Sequence, residues 1–402
     1  MQKSNPLERP VNARCRLVIG VTSDQTCLVL HARVRAFQQA GYEVILVCSP
    51  GRFLNQLVEV SGVDAYPLPM KRAISPLNDL RSLLALWLLL LRIRPYVVEF
   101  STPKAGLLGS IASLLANVPC RIYLLRGLKL ETAHGLKRRV LLLAERIAAA
   151  CAHHILCNSE SLKALAVQLR IAPAAKISVL ADGSSSGVDL VRFCPGHSCV
   201  RDALEIPRHA KVFGFAGRLT RDKGIAEFLL AFERLQHDAI PCYALLVGWF
   251  DEAEDELEDE LKARLRNHPR IRLTGYVADT APYYRAMDIF VLPTRREGFP
   301  NAILEAAATR LPVISSLCTG ARDAVVPEVT GLLVEPGNVD ALTDAMSKLL
   351  CEESRCLRMG AAARIWVERH YSMDRVLAEH VDFYKNRTGA AINEWDAAPE
   401  AV

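Results

Sequence analysis

The sequence predicts an α/β protein: two doubly wound parallel-sheet domains that face each other across a cleft. Three observations carry this expectation. The chain has 402 residues, enough for two domains of about 150–200 residues each. Apolar, strand-like runs alternate with helix-like segments from Arg16 onward through short loops, the order that builds a parallel sheet covered by helices. The alternation breaks once, around Phe193–His209, where Pro195, Gly196 and Pro207 stand among polar residues, and then begins again. The expected organisation is therefore a first domain over 1–195, a second over 196–372, and a C-terminal helix and tail over 373–402.

The elements follow in order. RLVIGVTSD (16–24) reads as a strand entering a polar loop. VLHARVRAFQQAGYEVILVCSPG then supplies a helix, a stop at Gly41 and a second strand. Within it VILVC is a near-continuous apolar run, as suits a strand buried on both faces. YVVEF (96–100), a helix after STPKAG, RIYLL (121–125), a long helix near 136–150 and HHILCNS continue the series. After the break come KVFGFAGRL, the helix GIAEFLLAFERL, YALLVGW, IRLTGY, IFVLPT, the helix NAILEAAATR, PVISS, GLLVEP and a helix from about Val339. A last apolar helix at about 373–385 is expected to fold back over the first domain, leaving 388–402 as a loose tail. Ligands of such sheets bind outside the carboxyl ends of the strands, which places the expected site in the cleft.

Composition narrows the function. With 51% hydrophobic residues and ordinary Gly and Pro usage, disordered and fibrous classes are excluded. Residues 1–195 carry 24 Lys/Arg against 12 Asp/Glu, whereas residues 196–402 carry 25 against 32. A basic half implies an anionic partner. Nucleic acid is the poorer choice, because the basic residues lack interleaved aromatics, zinc ligands or an RNP pattern; an anionic membrane surface remains. The longest apolar run, Leu83 to Leu91, has nine residues, against about twenty for a spanning helix. Flanked by Arg81, Arg92 and Arg94, it reads either as a buried helix or as an interfacial patch with leucines and Trp87 inserted. Lys71-Arg72 and Lys137-Arg138-Arg139 add to the basic face. The twelve cysteines form no C-x-x-C pair and stand mostly in apolar surroundings, as small reduced core residues. With no secretory h-region in MQKSNPLERPVNARC, the cytosol is the expected compartment.

Two stretches carry chemistry. FAGRLTRDKG (215–224) is a strand ending at Gly217, then Arg218, then Lys223-Gly224 opening a helix. A nucleotide diphosphate needs positive charge on its oxygens, nearby backbone N–H groups and a glycine that allows close approach; two solvated cations on a loop are the plain alternative. FVLPTRREGFPNAILEAAATRLPVISS (290–316) ends a strand in Glu297-Gly298-Phe299-Pro300-Asn301, with Glu305 eight residues after Glu297. Asn301 or its neighbour is expected to cap the helix, and paired carboxylates suit a hydroxyl-rich ligand; a plain capped helix is the alternative. The acidic run DEAEDELEDE (251–260) reads as the solvated face of an amphipathic helix and not as a metal site.

GRLTRDKG with the Glu-x7-Glu stretch EGFPNAILE resembles retaining glycosyltransferase family 4, whose GT-B fold has two Rossmann-like domains. TGYVAD (274–279), YRAMDIFVLPT (284–294), PVISSLCTGARDAV (312–325) and TGLLVEPGNVDAL (330–342) extend the likeness over almost the whole second domain. STPKAGLLG (101–109), LLRGLKLETAHGLKRR (124–139) and GSSSGVDLVRF (183–193) resemble the subgroup acting on polyprenyl-diphosphate-linked sugars in bacterial surface-polysaccharide or glycan assembly.

The resemblance implies a UDP-sugar donor and a lipid-diphosphate-linked acceptor. It implies further that the enzyme acts without metal or cofactor, peripherally on the inner face of the cell membrane through its basic first domain. Arg218 and Lys223 would stabilise the leaving diphosphate and Glu305 would bind the ribose. Glu297 and the backbone at Phe299–Asn301 would hold the transferred sugar, expected to be an N-acetylated hexose, and Gly217 would line the donor site. Lys104, Arg126 and His134 are the candidate acceptor contacts; Arg126 stands where many relatives carry His, and a guanidinium cannot abstract a proton. Two other functions share the architecture: a UDP-sugar epimerase and a non-catalytic nucleotide-sugar binder. An NAD-dependent enzyme is disfavoured because no G-x-G-x-x-G follows the first strand.

Overall fold

The structure, a computed structural model, describes residues 15–71, 75–235, 240–251 and 255–389. The polar N-terminal stretch, Arg72, residues 252–254 of the acidic run and the tail from 390 lie outside the described residues.

Among the described residues, thirteen strands form two sheets. The first holds β1 (Arg16–Gly20), β2 (Glu43–Cys48), β3 (Asp64–Pro67), β4 (Val97–Ser101), β5 (Cys120–Leu125), β6 (His154–Cys157) and β7 (Ile177–Val179) in the order β3-β2-β1-β4-β5-β6-β7. The second holds β8 (Lys211–Ala216), β9 (Cys242–Val247), β10 (Ile271–Leu273), β11 (Ile289–Leu292), β12 (Val313–Ser316) and β13 (Gly331–Val334) in the order β10-β9-β8-β11-β12-β13. In both sheets the strand order reverses beside the first strand of the series, and β1 pairs in parallel with β2 and β4 as β8 does with β9 and β11. These are the doubly wound sheets the alternation predicts. The central strands are covered on both faces, which is why Leu17, Val18, Phe213, Phe215, Leu245 and Leu246 have almost no solvent contact.

The described chain divides into two compact units. One takes the chain up to Leu124, Leu143–Leu156 and the chain from Leu377; the other takes Leu125–Leu142 and Cys157–Val376. In the second unit the helix Ile225–Arg234 buries Ile225, Phe228, Leu229 and Phe232, at helical spacing. Each such side chain contributes about 2 kcal/mol on leaving water.

In the first unit the C-terminal helix Met373–Thr388 is held by polar contacts. The Tyr384 hydroxyl donates to Glu99 on β4, and Arg33 pairs with the same carboxylate. The Tyr42 and Thr388 hydroxyls lie 3.0 Å apart. All twelve cysteines are free thiols; Cys194 and Cys356 are half-buried, Cys199 and Cys351 exposed and the others buried. The helix Pro76–Ile93 has two faces. Leu86, Leu90 and Ile93 enter the core and Trp87 packs against it, whereas Leu77, Leu80, Leu84, Leu88 and Leu91 are exposed. Trp87 is thus part of the packed side, so only the leucines are available for insertion.

One buried carboxyl makes stability depend on pH. Glu145, on the helix Gly135–Cys151, accepts the Tyr123 hydroxyl at 2.6 Å. Burial raises its pKa to about 7 despite that bond. The folded state then binds more protons than the unfolded one between the ordinary carboxyl value and about 7, so stability falls as pH rises through that window. Glu145→Gln keeps an acceptor for Tyr123 without the charge. It is expected to match wild type near pH 4 and to be more stable by about 3 kcal/mol at pH 8.5. Denaturant titrations at the two pH values check this, and an equal difference at both would mean the carboxyl is not the titrating group.

Candidate active site

The candidate site lies at the carboxyl ends of β8, β9 and β11 in the second unit. β8 ends at Ala216 and the chain turns at Gly217, φ +146°, whose N–H donates to Val247 of β9 at 2.9 Å. A Cβ on Gly248 would fall 1.8 Å from the Gly217 carbonyl oxygen, so the loops after β8 and β9 touch backbone to backbone. Arg218 leaves this crossing and donates to Asp251 Oδ2 at 2.7 Å. Burial opposes the charge of Arg218, but Asp251, Asp222 and Glu297 outweigh it and hold the pKa above its ordinary value. A single turn, Arg221–Lys223, follows, and Gly224 at φ +74° opens the helix Ile225–Arg234.

The loop after β11 is laced to that turn. The Arg295 N–H and the Thr294 hydroxyl both donate to the Asp222 carbonyl, at 2.8 and 3.1 Å. Lys223 donates to Glu297, Arg296 pairs with Asp222 at 2.9 Å, and Arg295 pairs with Glu227. Gly298 is wedged between backbones: a Cβ there would lie 1.7 Å from the Arg126 carbonyl oxygen, and one on Gly320 would lie 2.3 Å from the Gly298 oxygen. Phe299 is buried with its ring 5.1 Å from that of Tyr371. The helix Asn301–Ala308 has Pro300 at its N-cap with no side-chain capping bond. Of the two expected caps, Asn301 is already the first helical residue and its Oδ1 accepts the Ser184 hydroxyl at 3.4 Å, so the N-cap position falls to its neighbour Pro300, whose side chain has no acceptor to offer. Ser184 belongs to the turn 181–184, in which Ala181, Asp182, Gly183 and Ser184 all have positive φ. Three non-glycine residues in that region store backbone strain. The Gly187 N–H bonded to Ser184 Oγ at 3.0 Å and the Tyr371 hydroxyl on the Asp182 carbonyl at 3.1 Å help hold the turn.

The structure thus brings Gly217, Arg218, Lys223, Glu297, Phe299, Pro300 and Asn301 into one loop cluster. Glu305 sits within the helix beside Tyr284; burial raises its pKa to about 7, and the Tyr284 hydroxyl lowers it part of the way back. Arg126 contributes its backbone against Gly298 and its side chain is half-buried. His134 is exposed just before the helix Gly135–Cys151. Lys104 belongs to the first unit, where its ammonium pairs with Asp79 at 2.6 Å.

Four charged residues escape a reading by motif. Asp251 opens the acidic run taken for a solvated helix face, yet it is buried and bound to Arg218; the helix itself starts at Asp259. The expectation fails at Asp251, which follows the end of a strand, whereas Asp255, Glu256, Glu258, Asp259 and Glu260 are exposed. Asp222, inside GRLTRDKG, is buried and stays ionised: burial raises its pKa, but Lys223, Arg296, Thr220 and Arg218 bring it below the ordinary value. Arg296 is its partner. Glu131, on the turn Lys129–Glu131, has its pKa raised by burial and moderated by the Thr319 hydroxyl and Arg296. At the ends of β9 and β10, Trp249 and Tyr276 present half-exposed rings 5.6 Å apart.

Comparison with known proteins gives the family and the fold. Residues 210–352 match the family model of glycosyl transferases group 1, and residues 29–183 match a glycosyl transferase 4-like domain. The chain is 35% identical to the capsular polysaccharide biosynthesis glycosyltransferase CapM of Staphylococcus aureus, over 90% of this chain and 95% of the relative. It is 30% identical to the UDP-Gal:alpha-D-GlcNAc-diphosphoundecaprenol alpha-1,3-galactosyltransferase of Escherichia coli, over 77% of this chain and 80% of the relative. Among solved structures, Anabaena Alr3699/HepE in complex with UDP and glucose superposes with a TM-score of 0.76 at 17% identity, covering 92% of this chain and 100% of that one. That likeness shows the fold. The chain belongs to glycosyltransferase family 4 and is a glycosyltransferase with the GT-B fold.

Proposed function

We propose that this glycosyltransferase moves a sugar, an N-acetylated hexose, from a UDP-sugar to a lipid-diphosphate-linked glycan with retention of configuration, in the assembly of a cell-surface polysaccharide. The observation that carries the reading is the pairing of Lys223 with Glu297, beside Arg218, where two glycine-shaped loops meet at the start of a helix. In this reading the bond from the anomeric carbon to the diphosphate breaks as the bond to the acceptor oxygen forms, and the departing phosphate oxygen takes the acceptor proton. Lys223 and Arg218 stabilise the negative charge that grows on that diphosphate, the place where a fixed cation has most effect. They supply the positive charge there in place of a metal ion. Glu297 and the backbone from Phe299 to Asn301 hold the sugar hydroxyls, and Glu305 takes the ribose. The E. coli relative supports the acceptor class by its name, and the S. aureus relative supports the assembly of a surface polysaccharide by its own.

Two other readings share the fold, a UDP-sugar epimerase and a nucleotide-sugar binder without turnover. UDP release from a panel of UDP-sugars, with and without a membrane extract rich in polyprenyl-diphosphate sugars, separates all three. Acceptor-dependent release from one donor is the expected result. Interconversion of UDP-sugars without UDP release would establish the epimerase, and binding without either would establish the binder.

Peripheral attachment to the inner face of the cell membrane belongs to the same reading. No helix among the described residues is long and apolar enough to cross a membrane. The exposed leucines of Pro76–Ile93 lie beside Arg81, Arg92 and Arg94, and the helix Gly135–Cys151 exposes Leu136, Val140 and Leu143 beside Lys137, Arg138 and Arg139. Apolar groups flanked by cations suit an anionic lipid surface. Neutralising Lys137, Arg138 and Arg139 is expected to weaken liposome binding about tenfold or more, and more so at low salt. Unchanged sedimentation with anionic liposomes would move the contact elsewhere.

A further inference from the structure

We infer that Arg296 is a positioning residue that locks the register of the two loops carrying Lys223 and Glu297; the inference rests on the reading that those two residues handle the donor. Two neighbouring residues on one loop face two neighbouring residues on the other, with the charges reversed. Asp222 meets Arg296 and Lys223 meets Glu297. A slip of one residue would set Asp222 against Glu297 or Lys223 against Arg296, so the wrong register is penalised by like charges as the right one is favoured.

The first pair is built to stay in place. The Asp222 side chain is 5% exposed and that of Arg296 is 17% exposed. Arg296 also reaches Asp255 Oδ2 at 3.1 Å, and the Asp255 carbonyl accepts the Arg221 N–H at 2.8 Å. Arg296 therefore holds the Arg221–Lys223 turn through two carboxylates. Its charge is also felt by Glu131, on the loop whose Arg126 carbonyl packs on Gly298. A guanidinium presents several donors in a fixed plane, so one residue can serve carboxylates on different segments; an ammonium cannot span them in the same way.

The division of labour follows from the chemistry. When a diphosphate arrives, Lys223 has to share or exchange its bond to Glu297. Something else has to keep the loops in register during that exchange, and Asp222–Arg296 is the adjacent pair with no such duty. Buried ion pairs are weak evidence for stability, and their best-attested use is to fix registry.

The test uses the full chain and four variants: Arg296→Lys, Arg296→Gln, Asp222→Asn, and Asp222→Asn with Arg296→Gln. The neutral double variant keeps a hydrogen-bonding pair, which guards against loss of folding in the singles. Expected are folded proteins in which Arg296→Gln and Asp222→Asn each lower kcat about thirtyfold, with the donor KM within about threefold of wild type. The double variant is expected to lose no more than either single, since both remove one lock, and Arg296→Lys is expected to recover part of the loss. A folded Arg296→Gln with kcat within threefold of wild type would overturn the inference, as would a double variant whose loss is the product of the two singles. If wild type transfers no sugar, the functional reading fails. The lock is then judged by denaturant unfolding of the same variants, in which the double variant is expected to lose no more midpoint than either single; a double variant whose loss is the sum of the two singles would sink it.

Discussion

Lys223→Ala is expected to lose about 100-fold or more in turnover, because one fixed donor at a developing charge supplies about 3 kcal/mol. Its ammonium reaches the carboxylate of Glu297 and stands one residue before Gly224, which opens the helix Ile225–Arg234. Two positive sources therefore coincide, the lysine and the partial charge of the helix start, and removing the lysine leaves the weaker one. The loss should fall on kcat and on kcat/KM together, the mark of an interaction made in the transition state. The side chains of Lys223 and Glu297 are both largely buried, so the variant also leaves a carboxylate without its cation. Lys223→Ala with Glu297→Gln separates that effect: it should regain stability and no activity. Initial rates of UDP release and an unfolding midpoint on the same preparations check both. Near-normal turnover in folded Lys223→Ala would remove Lys223 from the diphosphate site.

Much of this site was legible because its signals are local. A strand ending in Gly217, a cation, and then Lys223-Gly224 before an apolar-periodic stretch give a loop that opens a helix whatever surrounds it. The same holds for EGFPNAILE. The sheets were legible because parallel strands are buried on both faces and so read as unbroken apolar runs. The two strands the alternation does not reveal are β3 and β7. Asp64–Pro67 has four mostly exposed residues and pairs on one side only, with β2, while Ile177–Val179 has three residues; neither leaves an apolar run long enough to read. The partners of the site residues were illegible for a different reason. Asp251 lies 33 residues from Arg218, and Glu297 lies 74 from Lys223. No spacing rule connects such positions, since sheet order alone brings β8, β9 and β11 side by side. The helix Pro76–Ile93 shows a third limit. Its leucine run declares an apolar helix, but which leucines turn inward depends on where the helix sits against β4 and its neighbours.

Gly298→Ala is expected to lower both stability and turnover, although it adds a single methyl group. The added carbon would lie 1.7 Å from the Arg126 oxygen, 2.3 Å from its carbonyl carbon and 3.0 Å from the Gly127 nitrogen. These are backbone atoms, so no side chain can swing aside and a segment has to move. On the other flank Gly320, at φ +74°, leaves so little room that its own Cβ would meet the Gly298 oxygen at 2.3 Å. The peptide of Gly298 is therefore gripped between two segments of the chain, and its neighbour Glu297 is held at Lys223 by that grip. Overpacking of this kind costs about 3 kcal/mol, and a displacement near 1 Å at a reacting group costs about 100-fold in rate. The expected result is a lower unfolding midpoint together with turnover reduced at least as far as in Lys223→Ala. Gly196→Ala is the control: its Cβ would touch only the Arg285 side chain, at 3.7 Å, so stability and turnover should stay close to wild type. Wild-type turnover in Gly298→Ala would mean that the Arg126–Gly127 segment is not held against Glu297–Gly298 during catalysis. Loss of activity with an unchanged midpoint would mean that the segment yields and carries Glu297 with it.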